Sequence, residues 1–288
     1  MTGAALALVV LAAFLHASWN FLLKRSGGGM GVVAAASAIS LVVYAPLVVA
    51  IAWYKQYVPQ PEHLVLMFGS GMIHTAYFLL LDRAYRSGGD LSIVYPLARA
   101  TGPLLTIVAA VLLLGERPGP AAIGGALLVG VSALVLTGNP FAGHRRGARQ
   151  AVGFALMTGC MITCYTVWDK WSVAGFLVPP LVYDFGCNAF RVGVLVPFTR
   201  RRAPGGMVRA WREQRLTVVA IAVLSPLSYI LVLTAMVFTP VSLVAPAREV
   251  SILFAALMGA HLLREGDVMR RAIAAAGMVL GIAGLTLG

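Results

Sequence analysis

Charge is scarce in this sequence. Only 11% of its 288 residues are Asp, Glu, Lys or Arg, against roughly 25% in a water-soluble domain, so a chain with a soluble surface all round is excluded. Acidic groups are scarcer still, 10 against 22 Lys and Arg. The resulting net charge of +12 would suit nucleic acid, but the basic residues stand in short connections between apolar runs. There they suit anionic lipid headgroups, and no nucleic-acid partner is expected. Cysteine is rare: Cys160, Cys164 and Cys187 all lie inside apolar segments without metal-ligand spacing, so they read as small core residues rather than zinc or redox sites. GxxxxGK[ST], HExxH and GxSxG are missing, so no ATP-driven pump, zinc hydrolase or nucleophile elbow is expected, and no cofactor or metal. Gly27–Gly29 follows a helical run rather than a strand and reads as a loop, not a phosphate cradle.

What the sequence has instead is length of apolar run. It is 60% hydrophobic with a mean hydropathy of +0.88. A spanning helix needs about 20 mostly apolar residues, and ten segments qualify, near 3–23, 31–54, 63–84, 91–114, 119–137, 151–170, 179–199, 216–238, 241–263 and 269–287. Breaks fall at Gly27–Gly29, Pro59–Pro61, Gly88-Gly89, Arg117–Gly119, His144–Arg149, Pro179-Pro180, Arg200–Arg215, Thr239-Pro240 and Arg264–Asp267. The first run carries its charges, Lys24 and Arg25, behind it, so it reads as a span and not a secretory signal. The fold class predicted is an all-α membrane protein of ten transmembrane helices, multi-pass in the cytoplasmic membrane. Sixteen Lys and Arg stand in connections 1–2, 3–4, 5–6, 7–8 and 9–10, and only Lys55, Arg117 and Lys170 on the other side. The positive-inside rule puts the first set in the cytoplasm and both termini outside.

The chain also repeats itself. Residues 91–138 lie beside 241–288 at an offset of 149 to 150, so that Ser92 meets Ser242, Pro96 meets Pro246, Arg99 meets Arg248, Glu116 meets Glu265 and Gly138 meets Gly288. In the first and sixth spans, His16, Trp19 and Asn20 fall on Tyr165, Trp168 and Asp169. The predicted units are a five-helix repeat over 1–138, a basic connecting loop over 139–150 and a second five-helix repeat over 151–288. Five is odd, so the second repeat would enter the membrane inverted. Inverted repeats are the architecture of secondary transporters, whose binding site lies near the midplane between the halves.

"LHASWNFLLKRSG", "YPLARATGPLLTIVAAVLLLGERP" and the five-plus-five duplication resemble the EamA family of the drug/metabolite transporter superfamily along essentially the whole chain. The resemblance implies an alternating-access carrier of small metabolites, often amino acids or other polar solutes. Spans 1, 3, 4, 6, 8 and 9 would line a central cavity, with spans 5 and 10 peripheral. Many members carry an Arg in the second helix of each half; Arg191 fits that pattern, whereas "AAASAISLVVYAP" in span 2 has none. Members are usually drawn with cytoplasmic termini, opposite to the charge count.

Candidate site residues follow from polar groups inside the spans. Arg99 lies about 12 Å into span 4 at 1.5 Å per residue, and Arg248 holds the equivalent place in span 9 with Glu249 beside it. An Arg in mid-membrane costs about 2.5–3.5 kcal/mol on insertion scales and so faces protein or a water-filled cavity. The three would form either a solute site, with Glu249 neutralising one Arg or taking a proton, or an internal ion-pair network joining the halves. His16, Trp19, Asn20 and Lys24 make one helical stripe, repeated by Tyr165, Trp168 and Asp169. Span 3 adds Ser70, His74 and Tyr77, and span 8 adds Ser225, Ser228 and Tyr229. Tyr95 and Arg191 complete the expected substrate-binding set, whereas Lys24, Lys170 and Asp184 read as helix-end groups. No catalytic residue is expected. The leading reading is a secondary transporter of a small anionic or zwitterionic solute, with a coupling proton as candidate co-substrate. The competing one is an intramembrane enzyme on a lipid-linked substrate, which would need a His16/Asp169 or His74/Asp184 dyad. Gly277, Gly281, Gly284 and Gly288 give two GxxxG spacings, suited to close packing within the chain or in a homodimer.

Overall fold

Apolar runs bounded by Gly and Pro become helices. The computed structural model describes residues 1–27, 29–86, 91–137, 148–263 and 268–287; within these, the side chains of 81–86, 91–98, 100, 137, 148–151, 259–263, 268 and 271 are outside the described set. The expected breaks at Gly88-Gly89 and Arg264–Asp267, the residue Glu265 and most of the 139–150 connection lie outside the described residues. The elements are α1 (Gly3–Arg25), α2 (Met30–Tyr54), α3 (Pro61–Arg86), α4 (Leu91–Leu114), α5 (Pro120–Thr137), α6 (Ala148–Lys170) running into a π turn (Trp171–Gly175), α7 (Pro180–Arg202), α8 (Gly206–Phe238), α9 (Val241–Ala247), α10 (Val250–Leu263) and α11 (Val268–Leu287). Six helices are long and apolar enough to cross a membrane, and the segments Thr101–Leu114, Pro120–Leu136 and Ala272–Leu287 are shorter apolar helices. The chain is an all-helical, multi-pass membrane protein.

Three expectations change. Residues 200–215 are mostly helical and not a loop: α7 runs on to Arg202, a short turn spans 203–205, and α8 starts at Gly206 with a kink at Gln214 (φ −141°, ψ 35°). The added turns are amphipathic and bury Ala210 beside Val32, Ala35 and Val218, with Met207 packed against them. Gly31 and Gly206 touch backbone to backbone there, since a Cβ on Gly31 would lie 2.7 Å from the Gly206 carbonyl. Span 9 crosses as one segment, counted above over Val241–Met258, but its helix is interrupted into α9 and α10 by a turn at Arg248-Glu249, where Ser251 N–H bonds to Arg248 O (3.0 Å) and Ile252 N–H to Glu249 O (2.9 Å). Finally, Cys160 and Cys164 are exposed on the outer face of α6; only Cys187 is buried.

Helix neighbours recur in pairs. α4 packs on α6 and α1 on α10; α3 on α6 and α1 on α8; α2 on α8 and α3 on α7. α2 also meets α7, α4 meets α9, and α5 meets α11. The α5–α11 seam is glycine-lined: a Cβ on Gly281 would lie 2.6 Å from Val129 Cγ2 and 2.7 Å from Gly125 O, and one on Gly284 2.9 Å from Ala121 O. Gly281 and Gly284 are therefore used inside the chain, where two backbones approach as closely as small residues permit. The outward faces are apolar, with Val42, Leu112, Leu113 and Leu280 exposed, as lipid contact requires.

Candidate functional site

Arg99 is the junction of the two halves. Its Nε donates to Glu249 Oε2 (3.1 Å), its Nη2 to Ser251 Oγ (2.8 Å), and its Nη1 lies 3.4 Å from His16 Nε2. The pair is well shielded, with side chains 12% and 7% exposed. A buried ion pair recovers its desolvation only when the remaining donors are also satisfied, and Ser251 and His16 do that here. Glu249 lies in the turn between α9 and α10 and Ser251 in the first turn of α10, and both reach Arg99 on α4.

Arg248, one residue earlier, is arranged differently. Its guanidinium lies over the Tyr229 ring, 5.4 Å from the centroid, and among the described residues no carboxylate stands within 4.0 Å of it. Tyr229 is at the edge of an aromatic group on inward faces. His74 stacks on Tyr165 (4.1 Å between centroids, 24° between planes) and meets Tyr229 edge-on at 5.5 Å; Tyr77 meets Tyr165 edge-on at 5.9 Å. His74 is oriented by Ser70, whose hydroxyl is 3.2 Å and carbonyl 3.0 Å from Nδ1, one helical turn earlier on α3. Asp169 is 0% exposed. It accepts hydrogen bonds from Tyr183 Oη (2.7 Å) and from Tyr229 Oη.

The remaining expected residues divide. His16 meets Trp19 edge-on at 5.1 Å, and the Trp19 indole N–H is buried without a partner. Asn20 bonds its own helix, Nδ2 to His16 O (2.8 Å). Trp168 ties α6 to α3, with Nε1 donating to Leu66 O (2.9 Å) and its ring against Gly69. Arg191 donates to Asn188 Oδ1 (2.6 Å), interacts electrostatically with Asp184, and keeps a buried Nε without a partner. Asn188 in turn donates to Ser37 O (3.0 Å) and Ser40 Oγ (2.8 Å) on α2. The Tyr95 side chain lies outside the described residues. Tyr183 and Ser251 were not foreseen. Each bonds a foreseen residue across a helix boundary, and spacing along one helix cannot reveal that.

Glu116 caps α9: its carboxylate accepts from Val241 N–H (2.8 Å) and Ser242 N–H (2.9 Å). Lys170 Nζ donates to Met236 O (2.6 Å) and Thr239 O (3.1 Å) at the end of α8. Lys170 is thus a helix-end group, but one that binds the last carbonyls of a neighbouring helix. A recess of about 480 Å³ opens there, lined in part by Glu116, Lys170, Trp171 and Phe238. Among the described residues no group of three or more His, Cys, Asp or Glu is placed to hold a metal ion.

Residues 3–138, the stretch that carries Arg99 and the His16–Trp19–Asn20 stripe, match the EamA-like transporter family. The match spans 136 of the 288 residues, a little under half, and shows an EamA-like transporter domain in the first part of the chain. The chain is therefore a membrane transporter of small molecules and not an enzyme. Twenty-nine chains of known structure match this protein. One of them, a crystal structure described only as that of a protein, is 18% identical, covers 100% of this chain and 98% of its own, and superposes with a TM-score of 0.75. At that identity it bears on the fold alone. No curated protein matches.

Proposed function

We propose that this protein is a secondary carrier built from two inverted five-helix repeats, ten spans in all, which moves a small anionic or zwitterionic metabolite such as an amino acid or carboxylate across the cytoplasmic membrane. Counting α9 and α10 as one span, the neighbour pattern maps onto itself when each span is exchanged with the one five places on. α4–α6 becomes α10–α1, α3–α6 becomes α8–α1, and α2–α8 becomes α7–α3. This supports the repeat, and the sequence correspondences support it independently.

The observation that carries the solute class is the contrast between the two arginines. Arg99 is paired directly across the interface, whereas Arg248 lies over an aromatic ring and feels Glu249 and Asp169 without an ion pair to either. A cation so placed in a low-dielectric interior attracts a carboxylate far more strongly than it would in water. The buried donors at Trp19 Nε1 and Arg191 Nε are further groups a polar solute would satisfy.

The test is a thermal-shift screen of the purified protein with amino acids, organic acids and phosphonates, where binding raises stability as RT ln(1 + [L]/Kd). It is followed by counterflow in proteoliposomes. Carboxylates should stabilise wild type and lose that effect in Arg248→Gln; stabilisation by cations alone would sink the solute class. Neither His–Asp pair needed by an intramembrane enzyme is hydrogen-bonded: His16 is held by Arg99 and His74 by Ser70.

A further inference from the structure

Asp169 is a carboxyl group in a place that does not suit a permanent charge. It is sealed from solvent, among the described residues no cation stands within 4.0 Å of it, and its hydrogen bonds come from the neutral hydroxyls of Tyr183 and Tyr229. An ionised carboxylate held by neutral donors alone remains costly in such surroundings. Glu249 differs, since Arg99 holds it directly. We propose that Asp169 is a proton-binding site whose occupancy is linked, through Tyr229 and Arg248, to the binding of a carboxylate solute. The solute half of the linkage rests on the carrier reading above; the proton site does not.

Tyr229 makes the link, because it touches both groups: its hydroxyl bonds Asp169 and its ring carries the Arg248 guanidinium. While Asp169 is ionised, Tyr229 must donate to it. When a proton adds to the carboxylate, a new O–H bond forms there and donates to Tyr229 Oη. The Tyr229 hydroxyl hydrogen is then free to turn toward a solute beside Arg248. Only that proton moves between molecules, and no carbon bond changes.

Charge balance gives the same direction. The ionisable groups described on the inward faces, Arg99, Arg191 and Arg248 against Asp169, Asp184 and Glu249, sum to zero. An entering carboxylate therefore unbalances the interior by one charge, and one bound proton restores it. The groups facing Asp169 from neighbouring elements are Tyr165 on its own helix, Tyr183, Asp184 and Cys187 on α7, Tyr229 on α8, and Arg248 at the α9–α10 turn. Ser70 on α3 adds a neutral hydroxyl. Asp184 is the rival carboxyl, but it also faces Arg191.

Infrared difference spectroscopy on the whole protein reads a protonated carboxyl by its C=O stretch, apart from ionised carboxylates. Between about pH 8 and about pH 5, where histidine is otherwise the main titrating side chain, wild type should gain one such band. Isotopic labelling of aspartate carboxyl carbons should shift the band. It should vanish in Asp169→Asn, persist in Asp184→Asn and Glu249→Gln, and move in frequency in Tyr229→Phe. At fixed pH, adding benzoate as the probe carboxylate should strengthen it in wild type and leave it unchanged in Arg248→Gln. The labelling result holds even if Asp169→Asn does not fold. A band that label does not shift, a band that survives in folded Asp169→Asn, or one indifferent to benzoate overturns the proposal. Vesicles that fail to move any solute while the band behaves as described would instead sink the carrier reading alone.

Discussion

Spans 4 and 9 are the same helix in sequence and different structures in space. Both carry Ser, Pro and Arg in the same order, at Ser92, Pro96 and Arg99 and at Ser242, Pro246 and Arg248, but span 9 has one residue fewer between its proline and its arginine. Yet α4 runs unbroken while its counterpart divides into α9 and α10. Proline alone does not explain this, because both have one at the same place. The local sequences part between the proline and the arginine, where span 9 is one residue shorter, and again after the arginine, where α4 has Ala100, a strong helix former, and span 9 has Glu249. The Glu249 carboxylate is drawn across the interface to Arg99, and the turn around it gives up regular i→i−4 bonding to let it reach. One carboxylate present in span 9 and missing from span 4 thus pairs with Arg99 and leaves Arg248 without a direct ion pair among the described residues.

The contrast can be broken most forcefully at Glu249. Glu249→Ala leaves Arg99 without its carboxylate, and losing one partner of a buried pair costs roughly 3–5 kcal/mol. Thermal melting should show a large destabilisation, with part of it recovered in the double variant Arg99→Met/Glu249→Leu. A single variant as stable as wild type would mean the pair does not join the halves. Gly281→Leu comes next, since even a Cβ would press on Val129 and Gly125 O; overpacking of this kind costs about 1–3 kcal/mol, measurable as a lower melting temperature with α5 and α11 splayed. Glu116→Ala removes the two acceptors at the start of α9 and should cost about 0.5–2 kcal/mol, as loss of a helix cap does; Glu116→Gln, which keeps one acceptor, should cost less. The smallest effect on stability is expected at Arg248. Its ring contact is worth about 0.5–2 kcal/mol depending on how far it is desolvated, so Arg248→Gln should melt within about 2 kcal/mol of wild type while losing carboxylate-induced stabilisation.

Much of the frame was legible in sequence because a bilayer imposes one simple rule, about 20 apolar residues per crossing. Gly and Pro marked most of the turns correctly. The rule failed where polarity and helix coexist. The basic stretch 206–215 was read as loop although its apolar residues face α2, and span 9 was read as continuous because hydropathy does not register a two-residue turn. Site residues were legible as types, since charged and aromatic groups amid Leu and Ala stand out. Their partnerships were not. Nothing in spacing says that Trp168 answers Leu66 on another helix, that Tyr183 holds Asp169, or that Ser251 completes the shell of Arg99.

The glycine seam between α5 and α11 has a mechanical consequence. Two rods touching at backbone carbonyls cannot slide, because any shift of register would bring the side chains flanking the glycines into collision. On the carrier reading proposed above, these two rods would stay fixed as a post while the remaining helices tilt around it.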